Sequence, residues 1–201
     1  MISRHPGTPC APALPAVAHE SDLEHICEPM HVIDALEETP AQLAAVLATF
    51  SPAALAYLPP DWNECPGEQF SALGHVCHMR DIERDGYHVR FARTLGEVEP
   101  DLVSIDGYAL ALERRYDEDD VERALAEFRA ARAETLRRVR AFGPDGGARA
   151  ATFGVLGRVT ATGLLHVLRS HDLQHLACLH WLLGRMAGEA GVTPPRAPRA
   201  R

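Results

Sequence analysis

Apolar residues recur along this chain at three- and four-residue intervals in four long runs, separated by stretches rich in Pro, Gly and charge. That period marks amphipathic helices. In the first run, Leu43, Val46, Leu47 and Phe50 follow at helical spacing. Thr39, Pro40 and Gln42 have the form of a capping box, with Pro at the first helical position, so this helix is expected to start at Thr39. Ser51 and Pro52 stop it and cap a short turn over 53–58. Ser71 is the expected cap of the second run, which extends to Thr94 and ends at Leu95-Gly96. Asp119 or Asp120 opens a third helix over 121–142, rich in strong helix formers, and Gly143 to Gly147 breaks it. The fourth helix starts at Thr160 or Thr162 and runs to Met186 or its neighbours. Residues 152–159 have some strand propensity, weakened by Gly154 and Gly157, and 97–116 reads as a partly helical connector. Nothing alternates strands with helices, so the pattern predicts an all-α four-helix bundle.

A length of 201 residues suits one domain. Residues 1–20 carry Pro and little periodicity and read as a flexible lead-in; 21–188 is the expected helical domain; 189–201 reads as a disordered Pro/Arg-rich tail. A net charge of -8 argues against nucleic acid as a partner. No stretch approaches the roughly 18–20 apolar residues of a membrane span, and the N-terminus lacks a signal-peptide pattern. Five Cys, odd in number and without a C-x-x-C pair, point to reduced thiols and a cytoplasmic location.

The eleven His are the compositional outlier. His171 and His175 stand at i, i+4 on one face of the last helix, where both rings can converge on one ion. The second helix carries His75 and His78. One of them would complete a three-imidazole site with open coordination positions, the arrangement of a catalytic metal centre. Cys178 shares the His171 face but lies about 10 Å further along the axis, so packing is its better reading. His166 and His180 point roughly 140° away from that face and are not expected to be ligands. A ferritin-like di-iron site needs two E-x-x-H motifs on paired helices, and the sequence has one, Glu28 to His31, outside the candidate helices.

The stretch FSALGHVCHMRDIE resembles the second-helix motif of the DinB/YfiT-like superfamily: an aromatic-Ser pair, then H-x-x-D-x-E. SHDLQHLACLHWLL is similar to the same family's terminal H-x-x-x-H segment, and the likeness covers most of 36–184. The chain departs from the family pattern at Phe70 and at Gly74, where a Glu would complete a capping box with Ser71. The resemblance implies an up-down-down-up bundle with a long crossover connection, commonly a homodimer. It implies one divalent transition metal on His78, His171 and His175, with Zn or Ni first and Fe or Mn compatible. His75, one turn before the motif histidine, is the weaker candidate.

A divalent ion on three imidazoles can activate water or bind a thiol as thiolate. The expected activity is therefore that of a thiol S-transferase or a hydrolase, acting on a low-molecular-weight thiol or another small molecule. The alternative is a non-catalytic metal-binding or stress-response bundle, because fold alone does not select a reaction. Asp81 and Asp172 are candidates for orienting a ligand ring or acting as a base, against the bland reading of solvated carboxylates. Tyr87, Tyr108 and Tyr116 are candidates for a pocket lining.

Overall fold

A computed structural model describes residues 29–143 and 145–190. The lead-in over 1–20, residues 21–28 and the tail from 191 lie outside the described residues, as do His5, His19, His25, Cys10 and Cys27. Helix α1 spans Pro29–Leu47. Helix α2, Ala72–Asp81, passes through a π-helical turn, Ile82–Tyr87, into α3, His88–Gly96, so the second run is one long rod. A crossover follows, carrying β1 (Asp101–Leu102) and α4 (Gly107–Glu113). Helix α5 is Val121–Arg140, strands β2 and β3 are Ala150–Phe153 and Arg158–Thr160, and α6 is Ala161–Ala190.

Side-chain pairings fix the directions. Thr39 meets Asp172, and Tyr57 past the end of α1 meets Glu189, so α1 and α6 run the same way. His75 faces His175 and His78 faces His171, so the second rod runs against α6. Arg80 pairs with Glu127, Glu83 with Arg132, and His88 with Thr135, so α5 runs parallel to the second rod. The bundle is up-down-down-up, and residues 97–120 form the long crossover.

The expected start at Thr39 is corrected. Helix α1 begins ten residues earlier and runs through Pro40. Proline has no N–H to give to the carbonyl of Leu36. That carbonyl instead accepts from Arg132 Nη1 at 2.9 Å, and Thr39 Oγ1 donates to Asp172 Oδ2 at 2.8 Å. The orphan left by proline thus ties α1 to α5. The other caps agree with the sequence: Ser71 Oγ accepts from Gly74 N at 3.1 Å without the family's Glu, Asp120 Oδ1 from Arg123 N at 2.8 Å, and Thr160 Oγ1 from Gly163 N at 3.0 Å. Helix α6 continues past Met186 to Ala190.

The strand propensity near 152–159 resolves into a hairpin. Gly154 and Gly157, at φ of 48° and 67°, supply its turn rather than weakening one strand. Strand β2 pairs antiparallel with β3 and parallel with β1, aligning Leu102 with Phe153. This small sheet closes one side of the bundle beside α3 and α6. Two apolar clusters fill the core, one around Leu43, Phe128 and Leu179 and the other around Leu36, Phe91 and Leu168. Between them lies a layer of buried polar residues.

Candidate metal centre

In that layer, the i, i+3 spacing on α2 and the i, i+4 spacing on α6 point four histidines inward. The Nε2 atoms of His78 and His171 are 3.2 Å apart, and those of His175 and His171 are 3.0 Å apart. Glu68 Oε2 lies 3.0 Å from His78 Nε2 and 3.3 Å from His175 Nε2. All four donor atoms fall within 4.8 Å of one another. A tetrahedral ion with bonds of about 2.0–2.1 Å needs its nitrogens about 3.3 Å apart, so the spacing fits one ion.

The electrostatics fit as well. Burial drives the pKa of His171 well below the ordinary histidine value, with repulsion from the other rings adding to it. His175 is lowered by burial too, against the opposing pull of Glu68. Neutral imidazoles present lone pairs, as metal ligands must. Burial works to raise the Glu68 pKa, but hydrogen bonds with His175 and His78 outweigh it and hold the carboxyl below its usual range. His75 stands behind the cluster, its Nδ1 2.8 Å from His175 Nδ1. The hydrogen bond to Glu68 uses a proton on His175 Nε2; metal binding requires that proton on Nδ1 instead, where His75 Nδ1 is placed to accept it and the Nε2 lone pair is freed.

Local structure explains these placements. The Phe70 ring packs on His78 at 5.1 Å between centroids. Gly107 opens α4 so close to the cluster that a Cβ there would stand 2.5 Å from His78 Cε1. Tyr108, the next residue, accepts from Gln69 N at 2.9 Å and pins the segment that carries Glu68. A cavity of about 460 Å³ opens beside the cluster, with Glu68, His78 and His171 on its wall and Tyr87, Arg90, Phe153 and Val167 around them.

His78, His171 and His175 thus come together, and Asp81 does not join them. It is buried, and its two oxygens take Arg80, Arg84, Arg114 and the Tyr116 hydroxyl. Burial raises its pKa, but these partners outweigh that and hold it low. Asp172 is buried as well rather than solvated, and it faces Arg132 and Thr39, not a ring nitrogen. Arg132 uses all five of its donor hydrogens: bidentate pairs with Glu83 and with Asp172, plus the Leu36 carbonyl. The D-x-E part of the second-helix motif therefore builds ion-pair hubs.

Tyr87 lines the cavity beside the cluster, whereas Tyr108 and Tyr116 line a separate one of about 370 Å³. His166 and His180 are exposed and outside the cluster. Cys178 is buried with its Sγ 3.9 Å from that of Cys65, and burial pushes its thiol up to about 12. Burial does the same to Cys77, so neither buried thiol is poised as a nucleophile. Glu68 sits on a loop without a period, so no sequence pattern marks it. The role of His75 was open because i, i+3 spacing alone does not separate a ligand from the group that orients one.

Fold and site together define a four-helix-bundle protein with a His₃Glu cluster at the edge of a cavity. The chain belongs to the DinB superfamily, whose family model matches residues 35–179. The fold is shared with YfiT from Bacillus subtilis, described as a probable metal-dependent hydrolase with an unusual four-helix bundle topology. The two superpose with a TM-score of 0.70 at 18% identity, covering 88% of this chain and 94% of that one. Comparison with curated proteins gave no match.

Proposed function

We propose that this protein is a mononuclear metal-dependent enzyme, a hydrolase or thiol S-transferase, in which His78, His171 and His175 hold one divalent ion beside a small-molecule pocket. One observation carries the reading: three imidazole Nε2 atoms and one carboxylate oxygen converge on the edge of a cavity of about 460 Å³. Imidazole donors favour Zn or Ni, with Fe or Mn compatible. A bound ion supplies Lewis acidity, favouring the deprotonated form of a water or thiol beside it.

The chain's own residues do the rest. Glu68 lies on the cavity wall and its Oε2 is within reach of two ligand nitrogens. With the Nε2 atoms of His78 and His175 given over to an ion, the hydrogen bonds that hold its pKa down are lost, and it can take the proton of the attacking group and hand it to the leaving group. His75 holds His175 in the binding tautomer. The apolar walls at Ile82, Phe153 and Val167 limit water around the reacting group.

The test is elemental analysis of protein purified without added metal or chelator. About one equivalent of a transition metal is expected. His78→Ala, His171→Ala and His175→Ala should each lose most of it, while His166→Ala and His180→Ala retain it. Equal loss in all five variants, or in none, overturns the ligand set.

A further inference from the structure

Three arginines are buried among the described residues: Arg80, Arg90 and Arg132. Arg80 pairs with Asp81 and Asp119, and Arg132 with Glu83 and Asp172. Arg90 is 5% exposed and has no carboxylate partner among the described residues. Its one hydrogen bond runs from Nη2 to the Val103 carbonyl at 3.2 Å, and its Nε is buried with no partner. A guanidinium offers five donors in a planar fork and does not lose its charge. To leave such a group desolvated and without a carboxylate is costly, and one carbonyl and two ring faces compensate it only in part.

The surroundings hold the fork in place. Arg90 Cζ lies 4.8 Å from the centroid of Tyr87 and 4.6 Å from that of Phe153. Gly86, in the π-helical turn, lets the guanidinium lie against the backbone; a Cβ there would stand 3.0 Å from Nη1. Arg90 also lines the cavity that the histidine cluster borders, and Tyr87 is the ring between them, 6.3 Å from His171 by centroids. The cavity therefore has a cationic fork on one wall and the cluster on another. An anionic ligand whose charged end takes the Arg90 fork places its remainder towards the cluster.

We infer that the substrate of this site is a small organic acid whose carboxylate pairs with Arg90 while its reactive group faces His78, His171 and Glu68. The inference rests on the metal-enzyme reading for the second half of that statement and on Arg90 alone for the first. Arg90 is thus a specificity-determining residue. Burial lowers its pKa without neutralising it, and an arriving oxyanion reverses that penalty.

The test is calorimetric titration of the protein as purified, metal content measured, with benzoate, benzamide and inorganic phosphate. Benzoate should bind at least about tenfold more tightly than benzamide, and Arg90→Met should abolish that preference while metal content is unchanged. Arg90→Lys, which keeps the charge but not the fork, should retain part of it. Melting separates a structural role: an arginine held for structure lowers Tm when replaced, whereas one awaiting a ligand leaves Tm equal or higher in Arg90→Met. If that variant does not fold, Arg90→Gln, which keeps a polar end but neither the charge nor the fork, carries the same comparison. Equal benzoate binding in wild type and variant, or none of the three probes bound at millimolar concentration, overturns the inference. Phosphate bound through Arg90 in preference to benzoate overturns the carboxylate assignment. Arg90-dependent benzoate binding in protein that takes up no metal leaves this inference standing and sinks the metal-enzyme reading instead.

Discussion

A single proton on His175 Nδ1 decides how the centre works. If it points to His75 Nδ1, the opposite nitrogen is free for a metal; if it moves to Nε2, it blocks the site. The 2.8 Å contact between the two Nδ1 atoms gives the first tautomer an acceptor, His75, for its proton. His75→Phe keeps a buried aromatic ring and removes the acceptor. Metal affinity should fall about 10–100-fold, as measured by chelator competition, with helical content unchanged. Gly107 acts on the other side of the site through space alone. Gly107→Ala forces a methyl onto His78, and the same assay should show weaker binding. Glu68→Gln keeps the shape of the carboxylate but not its charge. It should retain most of the metal and lower turnover about 100-fold or more, once a substrate is in hand. Loss of metal equal to that of the histidine variants would make Glu68 a ligand and not the proton carrier.

At the scale of the element, α1 shows why a good local signal can be overridden. Thr39-Pro40-Ala41-Gln42 satisfies the chemistry of a helix start, yet the helix runs through it. The satisfaction of the Leu36 carbonyl comes from Arg132, 96 positions away, and no local window contains it. The π-helical turn that seats Tyr87 and Gly86 was equally hidden, because the apolar positions of this run are too sparse to show the one-residue shift of phase it introduces. By contrast, Ser71, Asp120 and Thr160 cap where the sequence put them, since a cap is a contact between residues three apart. The Arg132 hub makes a prediction at this scale. Arg132→Met leaves Glu83 and Asp172 buried without their cation and should cost about 3–5 kcal/mol in urea unfolding. A double replacement, Glu83→Gln with Asp172→Asn, in the Arg132→Met background should recover part of that loss. A loss below about 1 kcal/mol in the single variant would mean that the hub is solvated.

For the whole molecule, the bundle and the histidine pair on α6 were legible because helical periodicity carries both. The entry of Glu68 and Arg90 was not, because one sits on an aperiodic loop and the other is distinguished only by the partner it lacks. The resulting interior is a polar layer between two apolar clusters, and its protonation sets how the fold responds to acid. Burial holds His75, His171 and His175 below the ordinary 6.5. The unfolded chain therefore binds more protons than the folded one just below that pH, so stability falls on acidification from about pH 6.5. Glu68, Asp81 and Asp119 are also held below their ordinary values, and their contributions are lost in the same direction at lower pH. Asp172, raised by burial and by the Glu83 charge despite Arg132, works the opposite way. Protons also compete with a metal for the Nε2 atoms of His171 and His175, so metal release falls in the same window. Tm should therefore be level from about pH 8 to 7 and decline from about 6.5 to 5. A chelator should lower Tm at pH 8, since an ion bound only to the folded state stabilises it by mass action. The acid decline should persist in the chelated protein and become shallower in His75→Phe. A Tm that rises on acidification through this window would mean that the histidines are protonated in the fold, and a protonated His171 or His175 cannot hold an ion.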